Sequence, residues 1–374
     1  MKKILILTYT NLDRDPRPNR QISLLNNDFE VWTIGTTPST LEKQFIELKK
    51  KSFVAQIFRL ILLKLRLYNL YYWDKYKKRL VEKIDREKFD IIIAHEIRLV
   101  PLALKIGENC KIILDAHEYS PENFEDDFFW RFLFKRYYTY LCGKYINKCD
   151  RIITVSEGIA HKYEKNFNVK VDVITNACNF VDLRPKKIDP KKIKIIHHGI
   201  VSSSRNLELL INIMGYLDDY YQLDLMLVVT KVNKRGFDRL KRFAKQQTNI
   251  RIIPPIKYSE IIGFINNYDI GLIFFPPSNF NLEFSLPNKF YDFIQARLAI
   301  ATGPSIEMSS IVKKYNLGIV TNSFNPQEMA TAIKNCTINQ LAFYKEQVHK
   351  YAFELSSNSN NDKIRKIISE TLQN

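Results

Sequence analysis

The segment Phe284-Ser285-Leu286-Pro287-Asn288-Lys289-Phe290-Tyr291-Asp292-Phe293-Ile294-Gln295-Ala296 brings a cation, a carboxylate and a helix start into one short stretch. The apolar run Ile270–Phe275 ahead of it is bounded by Pro276 and Pro277 and reads as a buried strand. Pro287 suits the first position of a helix, where its missing N–H costs nothing. Free backbone N–H groups and the dipole at that end favour a phosphate. Helical spacing puts Lys289 and Asp292 on one side and Phe290, Phe293 and Ile294 on another. The pair therefore suits a nucleotide, Lys289 for phosphate and Asp292 for sugar hydroxyls. The same two residues also fit a solvated helix face carrying an i,i+3 ion pair.

Two further constellations carry chemistry. Ile195-Ile196-His197-His198-Gly199-Ile200-Val201-Ser202-Ser203-Ser204-Arg205 reads as a strand, a glycine, a hydroxyl-rich loop and a helix beginning capped by Ser204. Gly199 permits close backbone approach. Arg205 near a helix N-terminus opposes the dipole, which points to an anion held by the guanidinium. The strand Lys111–Leu114 runs into Asp115-Ala116-His117-Glu118. A histidine flanked by carboxylates at a strand's carboxyl end suits acid–base or hydrogen-bonding work. His95-Glu96 ends the preceding strand in the same way.

These residues need a frame, and the alternation of short apolar runs with longer mixed stretches supplies one. Strands are expected at Lys3–Thr10, Phe29–Thr36, Asp90–His95, Lys111–His117, Asp150–Val155 and Val171–Thr175, with helices around Asn19–Asn27, Phe53–Glu87, Leu99–Gly107, Phe128–Lys148 and Gly158–Lys165. Residues 181–194 hold two prolines and a basic run and suit an exposed linker. The alternation restarts with strands at Ile195–His198, Leu223–Thr230, Arg251–Pro254, Asp269–Phe275, Leu298–Thr302 and Leu317–Thr321. This predicts an α/β chain of two Rossmann-like domains facing across a cleft, 1–180 and 195–349, with a C-terminal helix in 350–374 packing back on the first. Ligands in such sheets bind at the carboxyl ends of the strands.

Composition narrows the partners. Over 374 residues, 57 Lys and Arg against 40 Asp and Glu give a net charge of +17, which points to phosphorylated ligands, anionic lipid or nucleic acid. Only 11 glycines are present, and no GxGxxG follows a strand, which argues against a dinucleotide-binding dehydrogenase. Five cysteines at irregular spacing form no zinc pattern and suit reduced thiols in a cytoplasmic protein. The start Met1-Lys2-Lys3-Ile4-Leu5-Ile6-Leu7 reads as a first buried strand rather than a signal peptide. Two stretches, Phe58–Trp73 and Phe128–Tyr138, mix aromatics with cations and suit a membrane interface as well as two packed helices.

On the Ser285 to Asp292 segment, the Gly199 to Arg205 loop, the linker position and the Asp115-Ala116-His117-Glu118 turn, the chain resembles a family 4 glycosyltransferase of GT-B fold. The resemblance implies transfer of a sugar from a UDP- or GDP-linked donor with retention of configuration and without a bound metal or other cofactor. It implies a donor site of Gly199, Arg205, Thr230, Lys231, Ser285, Leu286, Pro287, Asn288, Lys289 and Asp292, with Arg205 and Lys289 on the diphosphate and Asp292 on the ribose. His117 stands where a histidine contacts the transferred sugar, with Glu118 beside it. The family's first glutamate falls on Phe284, leaving neighbouring Glu283 as the substitute on the donor sugar. Ile200 replaces a common arginine, and Thr230-Lys231-Val232 replaces the usual glycines. Asp13-Arg14-Asp15 resembles a DxD metal motif but sits in a Pro-punctuated loop and reads as loop. Arg17, Arg20 and His95 suit an anionic acceptor. The implied protein is a peripheral enzyme on the cytoplasmic face of the cell membrane, building a lipid-linked capsule, O-antigen or lipooligosaccharide, with no nucleic-acid partner. A non-catalytic GT-B-like module that binds membrane or nucleic acid is the competing reading.

Overall fold

The computed structural model describes residues 1–12, 15–49, 53–84, 87–202, 205–230 and 232–373, with the backbone alone over 53–58. The chain forms two units, Met1–Ile174 joined by Asn361–Asn374, and Thr175–Asn360. The first unit's sheet holds β1 (Lys3–Leu7), β2 (Glu30–Gly35), β3 (Gln44–Glu47), β4 (Ile91–His95), β5 (Lys111–Ala116), β6 (Arg151–Thr154) and β7 (Asp172–Val173), in the order β3-β2-β1-β4-β5-β6-β7. Every pair is parallel. The order reverses between β1 and β4, where doubly wound sheets open a crevice. Strands buried on both faces need unbroken apolar runs, as in Ile4 to Leu7 and Ile91 to Ala94, all of them in the core.

The second sheet holds β8 (Ile193–Ile200), β9 (Tyr221–Val228), β10 (Ile250–Ile253), β11 (Ile270–Ile273), β12 (Ala299–Thr302) and β13 (Gly318–Val320), in the order β10-β9-β8-β11-β12-β13. Alternate residues serve opposite faces. Ile195, Leu225, Leu272 and Phe274 enter one core, and Ile196, Met226, Ile273 and Phe275 the other. The switch point lies between β8 and β11; Gly199 stands at the end of β8, and the chain after β11 passes through the short helix Phe280–Glu283 to the helix that carries Lys289.

Several boundaries differ from the sequence reading. The division falls after Ile174 rather than at 180. Residues 181–194 are part of the second unit rather than a free linker. Val181 donates its N–H to Gln295, Asn266 donates to the Arg184 carbonyl, and Ile193 and Lys194 open β8. β3 was not expected, because its four residues carry only Phe45 and Ile46 as an apolar signal and lie at the sheet edge. The long helical stretch 53–87 is broken into Phe53–Lys64, Tyr68–Tyr72 and Lys75–Ile84. The final helix, Ser357–Gln373, puts Ile364, Ile367 and Ile368 at helical spacing against Ile4, Ile6 and Ile174, with Arg151 ion-paired to Glu370.

Gly271 lets the helix Asn288–Gln295 lie close on β11: a side-chain carbon added there would stand 2.3 Å from the Phe293 ring. Gly271→Val must therefore push the helix off its strand, at a cost of about 1–3 kcal/mol. A urea titration should show a lower midpoint for the variant. An unchanged midpoint would mean that the helix is not held by this contact.

Candidate functional site

The first unit gathers its polar side chains at the carboxyl ends of β4 and β5. Asp115 is the last residue but one of β5 and is fully buried. Arg17 meets it through Nε at 2.9 and 3.0 Å and Nη2 at 2.8 Å, and Gln21 donates to it at 2.6 Å. Both come from the helix Pro16–Leu25, which Asp15 caps by accepting from the Arg17 N–H and which Pro16 opens. Arg17 also donates to the Ile174 carbonyl at 2.7 Å. The guanidinium expected to meet an acceptor is thus spent on holding a buried carboxylate. Arg20, on the same helix, is half-buried. Asp13 and Arg14 lie outside the described residues, so the DxD reading is carried no further than Asp15, which is a helix cap.

His95 and His117 lie beside this pair. His95 Nδ1 and His117 Nε2 are 2.8 Å apart and share one proton, either ring being able to donate it. They stand 3.7 and 3.8 Å from the Asp115 oxygens. Burial pulls His95 from 6.5 down to about 4, against the pull of Asp115. Burial alone would raise the Asp115 carboxyl, but Arg17 and the two imidazoles outweigh it and hold it well below the ordinary value. His95 is therefore an internal partner rather than an acceptor contact, and His117, a quarter exposed, is the imidazole that meets solvent. Glu118 is exposed, and its carbonyl accepts from the Tyr163 hydroxyl at 2.8 Å. The same hydroxyl accepts from the Ser120 N–H at 2.8 Å, so buried Tyr163 pins the turn that carries His117. Ligand atoms of His95, Asp115 and His117 lie within 4.8 Å of one another. Asp115 already spends its oxygens on a guanidinium and an amide, and the two rings spend a nitrogen each on one another. This donor set suits relaying or accepting a proton better than holding a cation.

The second unit builds a cationic pocket at the ends of β8 and β11. Pro287 takes the cap position of the helix Asn288–Gln295, one residue before the first turn where sequence placed it. Leu286 is in the core and its carbonyl accepts from Asn176. Ser285 is bonded to the Leu282 carbonyl. Asn288 opens the helix with its buried Oδ1 without a hydrogen bond among the described residues. Lys289 and Asp292 are 4% and 1% exposed, which excludes a solvated helix face. Lys289 Nζ donates to His197 Nε2 at 3.0 Å, and His197 Nδ1 donates to the Leu272 carbonyl at 2.8 Å, which fixes its tautomer. Burial lowers the Lys289 pKa well below 10.5, Arg205 adding to this and Asp292 opposing it. Asp292 lies 3.4 Å from His198 Nε2 and accepts from the Tyr258 hydroxyl at 3.4 Å. Burial, then Lys289 and Arg205, bring His198 down to about 3.

Gly199 has φ +138°, and a side-chain carbon there would stand 2.9 Å from Lys289 Nζ and 3.6 Å from Arg205 Nη1. The two cations therefore flank one glycine backbone. Arg205 is half-buried, with its guanidinium 6.0 Å from the Phe275 ring centre. The following helix begins at Glu208, capped by Leu207, so Arg205 precedes the helix rather than opposing its dipole. Ser204 lies outside the described residues. Thr230 is exposed after β9, with its N–H bonded to Asn233, and Lys231 lies outside the described residues. Glu283 is half-buried at the end of the short helix Phe280–Glu283. His197, His198, Tyr258 and Tyr163 were not singled out from sequence. The signal available for the first two was their place ahead of Gly199 at the end of an apolar strand.

Residues 23–185 match the family described as Glycosyltransferase Family 4. No curated protein matches the chain. Among solved structures, the chain is similar to Anabaena Alr3699/HepE in complex with UDP and glucose, at 11% identity, TM-score 0.72, and coverage of 99% of this chain and 100% of that one. It is similar to a glycosyltransferase from Rickettsia africae ESF-5 at 16% identity, TM-score 0.71 and coverage of 100% and 99%. It is also similar to WaaG, a glycosyltransferase involved in lipopolysaccharide biosynthesis, at 12% identity, TM-score 0.70 and coverage of 98% and 99%. The two Rossmann-like units are those of the GT-B fold.

The buried imidazole makes a checkable pH dependence. His95 takes a proton near 6.5 when unfolded and only near about 4 when folded. Its neutral burial is fully tolerated above about 6.5 and opposes folding increasingly as pH falls toward about 4, by about 3 kcal/mol in total. Thermal melts of the wild type should drop through this window, and His95→Gln should flatten the drop, leaving the part due to His197 and His198. A variant with the wild-type pH profile would show that His95 is not held neutral.

Proposed function

We propose that this chain, a glycosyltransferase by its family 4 match and GT-B fold, moves a sugar from a UDP- or GDP-linked donor, with retention of configuration and no bound metal, onto a growing cell-surface glycan. The observation that carries the reading is the pair of cations, Arg205 and Lys289, that both meet the space where a Gly199 side chain would stand in the second unit. A diphosphate laid on that glycine meets a guanidinium, an ammonium and backbone N–H groups together. When the sugar–phosphate bond breaks, its electron pair goes to the diphosphate, and these groups stabilise the charge that develops there. Asp292, steadied by His198 and Tyr258, is offered to the ribose hydroxyls, and Glu283 to the donor sugar. In the first unit His117 positions the reacting sugar through a ring whose partner nitrogen is fixed by His95. The UDP held by the similar Anabaena protein in its complex with UDP and glucose is in keeping with this donor class.

A lipid-linked acceptor and attachment to the inner membrane face complete the reading. No helix among the described residues is long and apolar enough to cross a membrane. The short helix Phe128–Leu133 buries none of its residues, and Phe128, Phe129 and Phe132 are 66%, 73% and 62% exposed. Beside it Lys64, Arg66, Arg131 and Arg136 line a hollow of about 470 Å³, with no carboxylate among the described residues of its walls. Aromatics at the apolar boundary and cations at the phosphates are what an anionic lipid surface rewards. The neighbouring helix Lys135–Tyr145 turns Tyr137, Tyr138, Leu141 and Cys142 inward, so it packs, as the alternative reading of these stretches expected. Arg59 is also withdrawn from the surface set, because it pairs with Asp74 at 3.6 Å.

Two measurements test these proposals. Arg205→Gln and Lys289→Gln should each weaken UDP or GDP binding by about 1.5–3 kcal/mol in calorimetry, while His117→Ala keeps nucleotide affinity and lowers turnover about 100-fold. Unchanged affinity in both second-unit variants would remove the donor site. Separately, Lys64, Arg66 and Arg131 changed together to Glu should abolish sedimentation with vesicles of anionic lipid. A wild type that does not prefer anionic to neutral vesicles would end the membrane reading.

A further inference from the structure

A second hollow in the first unit, of about 480 Å³, takes no part in the histidine cluster. It is walled by Tyr9, Tyr71, Tyr72, Tyr76, Tyr137 and Phe134 and by four cations, Lys49, Arg59, Lys77 and Arg98, against one carboxylate, Asp74. Its place follows from the topology. Tyr9, Thr36 and Leu48 leave the ends of β1, β2 and β3, and Arg98 sits on the turn Ile97–Leu99 that leaves β4. The hollow therefore lies at the switch point of the sheet and shares the end of β4 with His95. Its volume is that of an ordinary small-molecule site.

The cations are held on aromatic faces. Arg59 lies over Tyr71 at 4.7 Å, Lys77 over Tyr72 at 3.5 Å, and Arg98 over Tyr9 at 4.9 Å. Among the described residues, the four cations outnumber Asp74 and the Glu96 that meets Arg98, so the walls carry an excess of positive charge. The half-buried rings of Tyr76 and Phe134 suit the C–H faces of a pyranose, and the cations suit an acidic group upon it. We infer that this hollow receives an acidic sugar of the acceptor, a pyranose bearing a carboxylate or a phosphate. The inference rests on the glycosyltransferase reading and names the acceptor's chemical class.

The test uses the full chain with UDP at saturation, so that the second unit's cations are occupied. Methyl glucuronide, glucose 6-phosphate, methyl glucoside and inorganic phosphate are titrated as probes, with tyrosine fluorescence as the readout. At least one of the two acidic sugars should bind about tenfold or more tightly than both methyl glucoside and inorganic phosphate, and which one does so tells carboxylate from phosphate. Lys49→Gln with Arg59→Gln, at an exposed and a half-buried position, should abolish the preference and leave UDP affinity unchanged. Equal binding of acidic and neutral sugars overturns the inference. So does inorganic phosphate binding as well as the sugar phosphate, or a preference that survives the double variant. Failure of the wild type to bind UDP would instead strike the donor reading.

Discussion

The first unit is organised around a negative charge that has no access to water. Asp115 is placed in the interior by a strand whose neighbouring residues must be apolar, and a lone carboxylate there is not tolerated. Arg17 and Gln21 answer it from the helix after β1, and Arg17 continues to the carbonyl of Ile174 at the end of the last strand segment. One guanidinium thus ties together the first helix, the middle of the sheet and its far edge. Removing either partner of such a pair costs about 3–5 kcal/mol, because the other is left buried and uncompensated. The histidines sit beside this settled charge: His95 stays neutral chiefly through its burial, which outweighs the pull of Asp115, and the Arg17 guanidinium adds to the effect.

The second unit solves the opposite problem. At the ends of β8 and β11 it buries a lysine, Lys289, whose Nζ meets an imidazole. The Nζ is steadied by the lone pair of His197, whose other nitrogen is fixed on the Leu272 carbonyl. Asp292, one turn along the helix, is occupied with His198 and Tyr258. The close fit of Phe293 on Gly271 sets the depth of that helix, and the positive φ of Gly199 clears the space in front of Lys289 Nζ. Two glycines in a glycine-poor chain are thus placed where a side chain would fill the approach to the cations or lift the helix that carries one of them.

Much of this was readable in the sequence. The two runs of strand–helix alternation, Lys289 with Asp292 on one helix, Gly199 ahead of Arg205, and His117 at the end of a strand are all local patterns. What could not be read was partnership. Arg17 looked like an exposed loop cation because nothing in its neighbourhood announces a carboxylate 98 residues away. His197 and His198 alternate across a strand, so one faces Lys289 and the other Asp292, but that depends on the register of β8 against β11. The expected linker was misjudged for a related reason. Its prolines and lysines describe an exposed backbone, whereas Val181 is tied to Gln295 and Arg297, and Arg184 to Asn266, by hydrogen bonds that span 114, 116 and 82 residues. β3 escaped notice because an edge strand needs few apolar residues.

The electrostatics of the second unit bear on how it meets an anion. Burial and Arg205 both disfavour the charged form of Lys289, so the empty pocket holds its lysine well below its ordinary pKa. His197 and His198 are kept neutral by the same burial and the same cations. On the proposed function, a diphosphate between Arg205 and Lys289 would reverse the sign of the local field and favour the ammonium form that burial and Arg205 disfavour. The neutral imidazole of His197 remains a lone-pair partner in either state, since its Nδ1–H is committed to Leu272. The stabilisation that an anion brings to Lys289 grows with the anion's charge, so on this reading the place between Gly199, Arg205 and Lys289 favours a highly charged ligand as well as one of fitting shape.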